Sequence, residues 1–280
     1  MSKKHGLIQK IKAWYNKNWK IWRFKLSADN NIFFIGFYKY LYQPKAGSLA
    51  AFLNEYSRFV GDSFTVIQIG ANDGITHDPI HKFIKRDRWK GVLLEPQSEV
   101  FHVFLKHIYK KNKGIHCACA AIGYEDGNQR MYKIRFSKMR WATGLASFSK
   151  EKVEQAFENG IVAHNCRVHG IEIPIDRNEW ITEEEVEVIS PTSLIKRYDI
   201  KKINLLQIDA EGFDFEVIKI FDIASTNPQA IIFENVALSS EENNCCLELL
   251  KNNNYAIRKF GSNTLAFKKP VGIFEKYFLR

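Results

Sequence analysis

The sequence predicts an α/β protein with a mostly parallel β-sheet, helices on both faces and a C-terminal antiparallel hairpin. Short apolar runs alternate with segments of helical periodicity along most of the chain, as in a parallel sheet built from β-α units. The runs are mostly apolar at successive positions and do not alternate with polar residues, as expected of strands that are buried on both faces. Near the end of the chain, residues 255–260 and 263–268 flank Gly261-Ser262, which indicates a hairpin.

Five of the apolar runs are the predicted parallel strands, and helices are predicted around and between them. The strands are expected at residues 65–69, 91–95, 115–121, 203–208 and 230–233. The helices are expected at residues 48–59, 80–86, 97–111, 193–198, 213–221 and 241–251. With the hairpin the sheet has seven strands, which is the layout of the Rossmann-like class I fold of S-adenosylmethionine-dependent methyltransferases, with its usual strand order 3-2-1-4-5 among the parallel strands.

The length and composition favour one main domain with additions. A chain of 280 residues with 45% hydrophobic residues can bury one sizeable α/β core and a small appendage. We expect an N-terminal helical extension at residues 1–62, the main domain at 63–270 and a tail at 271–280. The strand–helix alternation breaks down at 132–190, where a helix at 149–159 and short strands at 171–175 and 185–189 are expected. An insertion between the third and fourth strands lies at the ligand-binding edge of such a sheet, which predicts a cap over the substrate.

The N-terminal extension is basic and rich in aromatic residues. Within residues 5–25, one side of a helix would carry Leu7, Ile8, Ile11, Trp14, Tyr15, Trp19 and Trp22, flanked or opposed by Lys10, Lys12, Lys17, Lys20 and Arg23. Such a helix suits peripheral contact with an anionic membrane. Docking on its own domain or self-association with a second subunit is the alternative, and it is favoured because aromatic stripes usually belong to a core. The net charge of +10 lies largely in this segment and in no nucleic-acid module, so no nucleic-acid partner is expected.

The sequence predicts a cytoplasmic protein, with the inner face of the membrane as a second location if the N-terminal helix binds lipid. No apolar run reaches the ~20 residues that cross a bilayer, and the start Met1-Ser2-Lys3-Lys4-His5 leads into no signal peptide. The five cysteines form no spaced framework, which fits a reducing compartment.

The first predicted strand runs into a glycine-bounded turn, Gly70-Ala71-Asn72-Asp73-Gly74. Strand, tight turn and helix in this order are typical of a nucleotide-binding loop, with an ordinary βα turn as the alternative. Gly70 would bring the backbone close to a ligand, and Gly74 would let a following helix pack near the strand and offer its N–H groups. Asn72 stands where dinucleotide loops have a middle glycine, and it tolerates positive φ. Asp73 is expected to accept a hydrogen bond from a cofactor amino group or to cap the helix.

The second predicted strand ends at Glu95-Pro96, 21 positions after Gly74. An acidic residue at this place accepts hydrogen bonds from ribose hydroxyls in nucleotide-binding sheets, although an exposed carboxylate in a Glu-Pro turn is the alternative. After the third strand, Ala121 and its small neighbours offer a surface on which an adenine ring can lie. Together these residues predict the nucleoside part of a cofactor site.

Carboxylates also follow the fourth and fifth strands, at Asp209-Ala210-Glu211 and Glu234-Asn235. Two chemical uses are open. Asp209 or Glu211 can act as the general base for an acceptor hydroxyl. Alternatively, Asp209, Glu234 and Asn235 can hold Mg²⁺ or another divalent cation. The non-functional alternative is that Glu211 caps a helix and Glu234 is solvated.

These motifs resemble the FkbM family of S-adenosylmethionine-dependent O-methyltransferases. The resemblance covers residues 63–268 and is carried by residues 66–74, by Leu94-Glu95-Pro96, by residues 141–148 and most specifically by residues 206–218, where an apolar strand leads into Asp209-Ala210-Glu211-Gly212. It implies that Gly70, Asn72 and Gly74 line the amino-acid part of the cofactor, that Glu95 binds its ribose, and that Asp209 and Glu211 face the methyl-transfer site. Gln68 departs from the pattern, because many methyltransferases have an acid there.

The expected reaction is methyl transfer from S-adenosylmethionine to a hydroxyl, and the resemblance implies a sugar of a surface glycan or a secondary metabolite as acceptor. One alternative function is that of an NAD-dependent oxidoreductase or epimerase, which would require a complete G-x-G-x-x-G loop and a Tyr-x-x-x-Lys pair. A second alternative is a non-catalytic lipid- or glycan-binding protein that uses its N-terminal helix. Two features are expected to be solvated, although each could serve the site: the histidines His77 and His81, and cap cations such as Lys138, Arg140 and Arg167.

Overall fold

The computed structural model describes residues 18–236 and 238–279 of the chain. Its main sheet has seven strands in the order β3-β2-β1-β7-β8-β10-β9. These strands are β1 (Thr65–Ile69), β2 (Lys90–Leu94), β3 (Ile115–Ala118), β7 (Leu205–Ile208), β8 (Ala230–Glu234), β9 (Tyr255–Phe260) and β10 (Asn263–Lys268). The first five are parallel, and β10 is antiparallel to both β8 and β9. The predicted class I methyltransferase fold, with its C-terminal hairpin, is confirmed.

Helices cover both faces of the sheet. They are α1 (residues 18–28), α2 (Ile32–Gly36), α3 (Leu49–Val60), α4 (His81–Asp87), α5 (Ser98–Val100), α6 (Lys106–Tyr109), α7 (Arg140–Thr143), α8 (Lys150–Glu158), α9 (Ile161–His169), α10 (Pro191–Arg197), α11 (Asp214–Ile220), α12 (Ile223–Thr226) and α13 (Ser240–Asn252). Short π-helical segments at Phe37–Leu41 and Phe101–Leu105 continue α2 and α5, and a 3₁₀-helix spans Gly272–Tyr277.

Because successive side chains of a strand point to opposite faces, each central strand contributes to two cores. Val66 and Leu205 pack with helices α3 and α4 on one face, whereas Ile67 and Leu206 pack with α11 and α13 on the other. This arrangement explains why the strands carry apolar residues on both faces, with the buried Gln68 and Gln207 as polar exceptions.

A second, three-stranded sheet forms in the region of the predicted cap, in the order β4-β6-β5. Its strands are β4 (Ala121–Ile122), β5 (Gly127–Ile134) and β6 (Ile181–Ile189). The expected strand at 185–189 lies within β6, and the expected helix at 149–159 is α8, whose first turn is capped by the Ser149 hydroxyl. Helix α9 was not expected.

Two strand predictions differ from the structure. The run at 115–121 ends in the main sheet at Ala118, and Ala121 already belongs to the second sheet, so an apolar run there hides a change of sheet. Residues 171–175 form no strand. Ile171 and Ile173 pack on the small core of the cap while Ile175 is fully exposed, so alternation here reflects side-chain packing without a strand partner.

Within the described residues, no helix combines the length and the apolar character needed to cross a membrane. Most of the amphipathic helix predicted from residues 5–25 lies outside the described residues, which begin inside it at residue 18.

Candidate active site

Three strand ends open onto one cavity of about 380 Å³. Gly70 follows β1, Glu95 follows β2 and Asp209 follows β7, and all three line the cavity. They meet because β1 pairs in parallel with both β2 and β7, which aligns the carboxyl ends of the three strands. Asn72, Pro96, Ala121 and Glu211 line the same cavity. The structure therefore brings together seven of the residues singled out in the sequence.

Gly70 is required by the contact between two strand ends. Its φ is +75°, and a Cβ atom at this position would lie 2.0 Å from the carbonyl oxygen of Asp209. The backbone N–H of Asp209 donates to the carbonyl of Ile69, so β1 and β7 stay in contact up to the cavity. The expected close approach at Gly70 is thus made first by the chain itself.

Glu95 is buried at the base of the glycine turn, with 2% of its surface exposed. Its Oε2 accepts from the backbone N–H of Asn72 at 2.8 Å, and its Oε1 accepts from the backbone N–H of Gln97 at 3.0 Å. Burial raises the pKa of Glu95 to about 7, against the effect of these hydrogen bonds. Oε1 also accepts from the side-chain amide of Gln97 at 3.2 Å. Since a carboxylate has about four acceptor sites, Oε2 retains capacity for a donor from a ligand.

The rest of the glycine turn lies behind the cavity and not along it. Asp73 Oδ1 accepts from the backbone N–H groups of Ile75 and Thr76, so Asp73 stabilises a turn and caps no helix. The next helix, α4, begins at His81, and its N–H groups do not meet the turn. A Cβ at Gly74 would lie 2.9 Å from side-chain atoms of Leu105 and Tyr109, which makes Gly74 a packing position under the segment that follows β2. Ala71 is buried in the same core.

Asp209 and Glu211 form a pair of interacting carboxyl groups in the cavity. Burial and the carboxylates of Asp214 and Glu234 raise the pKa of Asp209 to about 6. Burial and the neighbouring Asp209 raise the pKa of Glu211 to about 7, while the Arg140 guanidinium acts in the opposite direction. Like charges in a partly dehydrated site oppose full ionisation. The pair can therefore accept a proton near neutral pH.

The loop that carries these carboxyl groups is strained and then fixed by Asp214. Glu211 has a φ of +48°, a conformation that costs a non-glycine residue about 1–3 kcal/mol and that often occurs at functional sites. The fully buried Asp214 accepts from the backbone N–H of Ala210 at 3.2 Å and from that of Glu234 at 3.0 Å. Asp214 thus ties the ends of β7 and β8 together, a structural role that the sequence analysis did not assign to it.

Replacing Asp209 with Asn should make the stability of the protein less dependent on pH. The folded pKa of about 6 lies above the ordinary 3.8, so the stabilising, protonated form is complete below pH 3.8 and is lost as the pH rises through 6. We expect the free energy of unfolding of Asp209→Asn, relative to wild type, to rise by about 2 kcal/mol between pH 4 and pH 8. Urea unfolding across this range measures it, with the exposed Asp62→Asn as control. A difference that is constant with pH would contradict the assigned shift.

Only one of the three predicted metal ligands lines the cavity. Asp209 lines the cavity, but Glu234 and Asn235 do not, because β8 lies one strand beyond β7 and Asp214 sits between them. The Asn235 side-chain amide donates to Asn243 at 3.2 Å. Across residues 18–236 and 238–279, no group of three or more His, Cys, Asp or Glu side chains is placed to hold a metal ion. The Mg²⁺ site expected at Asp209, Glu234 and Asn235 stays a prediction.

The region predicted as a cap supplies the remaining wall of the cavity. Its contribution consists of Arg140, Thr143, Gly144, Ala146, Ser147, Phe148, Ser149 and Lys152. A Cβ at Gly144 would lie 2.9 Å from Oε1 of Glu211, so α7 ends directly against that carboxyl group. Lys138, two residues before Arg140, instead lies in solvent and pairs with Glu99 at 2.7 Å.

Arg140 was expected to be solvated, and the structure places it in the cavity. Its Nη1 is buried without a hydrogen-bond partner among the described residues and lies 4.0 Å from Oδ1 of Asp73. A guanidinium with a buried, unused donor is suited to an anionic group. The signal that could have found it is its position directly before residues 141–148, which carry part of the family resemblance.

Comparison with known proteins identifies the family. The family model described as the methyltransferase FkbM domain matches residues 68–260, which is more than half of the chain. The chain belongs to the FkbM methyltransferase family. The match includes the glycine turn, Glu95, the cap and the Asp209–Glu211 loop, so the family resemblance expected from the motifs is confirmed, and so is the assignment as a methyltransferase.

Solved methyltransferase structures resemble this FkbM-family chain at low sequence identity. Methyltransferase FkbM from Methylobacillus flagellatus KT is 12% identical, with 74% of this chain and 44% of that chain covered and a TM-score of 0.44. Precorrin-6y C5,15-methyltransferase from Geobacter metallireducens GS-15 is 11% identical, with 79% and 88% covered and a TM-score of 0.37. Human methyltransferase 10 domain containing protein is 10% identical, with 81% and 85% covered and a TM-score of 0.38. The chain thus spans less than half the length of the first of these. A search of curated proteins finds no match.

In this FkbM-family chain, a series of hydrogen bonds links the N-terminal helix α1 to the glycine turn. The Tyr109 hydroxyl donates to the carbonyl of Gly74 at 3.1 Å and therefore accepts from Nδ1 of His81 at 3.0 Å. Nε2 of His81 then accepts from the Ser27 hydroxyl of α1 at 2.9 Å. Burial and nearby cations lower the pKa of His81 well below its usual range, which keeps the ring neutral, as this donor pattern requires.

A second set of contacts fixes α1 to the same region. Arg23 donates to the carbonyl of Ile75 at 3.0 Å, and the buried Lys85 donates to the carbonyl of Ser27 and to the side chain of Asn30. His81 is thus a structural residue that does not line the cavity, whereas His77 is exposed and precedes the helix. The N-terminal extension supports the loop that lines the cavity.

Replacing Tyr109 with Phe should loosen the glycine turn without touching the cavity wall. The change leaves the Gly74 carbonyl and His81 Nδ1 without their partner, and each unsatisfied buried group costs about 1–3 kcal/mol. We expect a matching loss in the free energy of unfolding, measured by urea denaturation, and weaker binding of S-adenosylhomocysteine, measured by calorimetry. Tyr124→Phe, which removes an exposed hydroxyl bonded to Glu216, is the control. Unchanged stability and binding in Tyr109→Phe would contradict the proposed support.

Proposed function

We propose that the chain is an S-adenosylmethionine-dependent O-methyltransferase. Its acceptor is a hydroxyl group, either on a sugar of a surface glycan or on a secondary metabolite. One observation carries this proposal: a single cavity joins Gly70 and Glu95, which suit a cofactor, to Asp209 and Glu211, which suit a proton acceptor. The acceptor class follows from the FkbM resemblance and not from any residue of the cavity.

The residues of the cavity fit an adenosyl cofactor. A volume of about 380 Å³ lies within the usual range for small-molecule sites. Glu95 would accept from ribose hydroxyls with the acceptor capacity that its backbone contacts leave free. Ala120, Ala121 and Ile122 offer an apolar surface beside it. Gly70 and Asn72 would border the amino-acid part.

The two carboxyl groups then have different tasks. When bound, S-adenosylmethionine would supply the methyl group of its sulfonium. This methyl group would pass to the acceptor oxygen as the carbon–sulfur bond breaks. Glu211 is the more exposed of the pair, and its pKa of about 7 suits a general base at neutral pH. It would take the proton of the acceptor hydroxyl while the new oxygen–carbon bond forms. Asp209 would hold the pKa of Glu211 up by its charge.

Arg140 would balance the negative charge of this site. It lies among Asp73, Asp209 and Glu211, and it lowers the pKa of both Asp209 and Glu211. Its buried Nη1, which has no hydrogen-bond partner among the described residues, would bind a carboxylate or phosphate of a ligand. The cation therefore keeps the base partly ionised and offers one anion contact within the cavity.

We place the reaction in the cytoplasm. The five cysteines form no spaced framework in the sequence, which supports a reducing compartment.

Calorimetric titration with S-adenosylhomocysteine and with NAD tests the cofactor. Micromolar binding of S-adenosylhomocysteine without NAD binding supports the proposal, whereas NAD binding would support an oxidoreductase, and binding of neither would support a non-catalytic protein. Methyl-labelled S-adenosylmethionine incubated with glycan fractions and cell extracts then tests the acceptor. Label found only on protein or nucleic acid would contradict transfer to a glycan or metabolite hydroxyl.

A further inference from the structure

We propose that residues 18–45 form a docking surface for an anionic lipid bilayer. The surface, called here the N-terminal face, consists of the exposed side chains of Trp19, Ile21, Trp22, Ile32, Phe33, Phe37, Tyr40 and Leu41. This inference does not depend on the methyl-transfer chemistry, because none of these residues lines the cavity.

The exposure of these side chains is unusually high for a water-facing surface. Phe33 is 88% exposed, Ile32 83%, Tyr40 74% and Trp22 66%. Four residues of the N-terminal face lie on one side of α2 and the π-helical segment. Phe37 follows Phe33 by four positions and Tyr40 follows Phe37 by three, with Leu41 next to Tyr40, and residues three or four apart share a helix face. Clusters of exposed large apolar residues mark interaction sites.

The opposite side of the same segment already packs on the domain. Phe34, Tyr38 and Tyr42 pack edge to face with ring centroids 5.1 and 5.9 Å apart, and Lys82 of α4 lies over the ring of Tyr42. In α1, Phe24 meets the ring of Phe104 edge-on. Other residues of this segment thus already make its contacts with the domain. Packing of the aromatic residues on their own domain, which the sequence favoured, therefore does not account for the outward-facing side chains.

The segment that carries the N-terminal face is positively charged. Residues 18–45 contain five Lys and Arg residues and one acid, so their net charge is +4. The single acid, Asp29, is paired with Lys111 at 3.2 Å, and Lys110 and Lys25 also lower its pKa. The only acid of residues 18–45 is thus paired, and the segment keeps a net positive charge.

This charge selects a lipid surface over a second copy of the chain. Two copies related by a two-fold axis would bring the same basic face against itself, and like charges would oppose the contact. Anionic headgroups instead attract Lys and Arg, while Trp, Tyr and Phe side chains settle at the level of the headgroups. Helix α1 contributes to the N-terminal face and also supports the glycine turn. A bilayer bound to this face would therefore lie on the side of the molecule that supports the cofactor loop.

Vesicle co-sedimentation of the full chain tests the proposal, with phosphatidylcholine vesicles that contain or lack phosphatidylglycerol. We expect binding only to the anionic vesicles, weakened by added salt. The triple variant Phe33→Ser, Phe37→Ser, Tyr40→Ser should lose about tenfold or more of this binding, with S-adenosylhomocysteine affinity unchanged. Phe59→Ser, which removes an equally large and similarly exposed ring outside the face, should bind like wild type.

A charge variant keeps the test independent of the apolar substitutions. Lys20→Glu with Lys39→Glu leaves the exposed rings in place and should lower binding to anionic vesicles, since each cation near such a surface contributes to attraction. Equal binding to neutral vesicles, or unchanged binding by both variants, would overturn the proposal. So would a wild-type dimer in sedimentation analysis that binds no vesicles and that the triple variant converts to monomer.

Discussion

Replacing Glu211 with Gln is expected to lower kcat by about 10²- to 10⁴-fold, the usual contribution of a positioned general base. Gln keeps the size and the hydrogen-bonding reach of the side chain but cannot take up the acceptor's proton. The affinity for S-adenosylhomocysteine should stay within about threefold, because the glycine turn and Glu95 are untouched and binding requires no proton transfer. Single-turnover assays with labelled S-adenosylmethionine measure the first effect, and calorimetry the second.

The pH dependence separates a base from a merely structural carboxyl group. Burial and Asp209 raise the pKa of Glu211 to about 7, and a base must be ionised to act, so wild-type kcat should rise with pH through about 7. Because Asp209 and Glu211 interact, this rise belongs to the pair. The residual rate of Glu211→Gln should lack the rise.

Glu216→Gln is the matched control for Glu211. Glu216 lies on α11, five residues further along the chain, and its carboxylate bonds with Tyr124 and Lys219 outside the cavity. Its replacement should leave kcat within about twofold of wild type, as is usual for surface substitutions. If Glu211→Gln instead kept its rate and its pH profile, the base would have to be Asp209 or another group.

The sheet could be predicted because each of its strands is recorded locally in the sequence. Runs such as Val66–Ile69 and Leu205–Ile208 are apolar on both faces, so they have no stable place except a covered parallel sheet. When the strands are placed in the usual order, their carboxyl ends align, so Gly70, Glu95 and Asp209 are expected to meet. This is why the floor of the site could be predicted before any coordinates.

The features that were predicted wrongly, or not at all, depend on contacts distant in sequence. Gly74 is small because of Leu105 and Tyr109, and not because a helix begins beside it. Arg140 enters the cavity because α7 packs over the carboxylates of another segment. Glu234 is not part of the cavity wall, and its backbone N–H donates to Asp214, 20 residues earlier in the chain. None of these distances is encoded by spacing within a motif.

Replacing Glu95 with Gln is expected to weaken the binding of S-adenosylhomocysteine by about 100-fold. The two oxygens of Glu95 accept from the backbone N–H of Asn72 and from the backbone N–H and side-chain amide of Gln97. In Gln one oxygen becomes an NH₂ group, which must face one of these donors. The lost charged hydrogen bonds to the protein and to ribose, at about 1.5–3 kcal/mol each, account for the expected factor.

The charge of Glu95 should also appear in the pH dependence of binding. Burial raises its pKa to about 7, and ribose hydroxyls bind better to the carboxylate than to the neutral acid. In wild type the affinity for S-adenosylhomocysteine should therefore rise between pH 6 and pH 8, whereas in Glu95→Gln this rise should be absent. Calorimetry at several pH values measures both the loss and the slope.

Two further variants make this test specific to the position. Glu95→Asp keeps the charge on a shorter side chain and should recover part of the affinity, to within about tenfold of wild type. Glu99→Gln removes the next acid along the chain, which is exposed and paired with Lys138, and should bind like wild type. If Glu95→Gln bound as tightly as Glu99→Gln, the ribose would have to lie elsewhere, and the cavity formed by the ends of β1, β2 and β7 would not be the cofactor site.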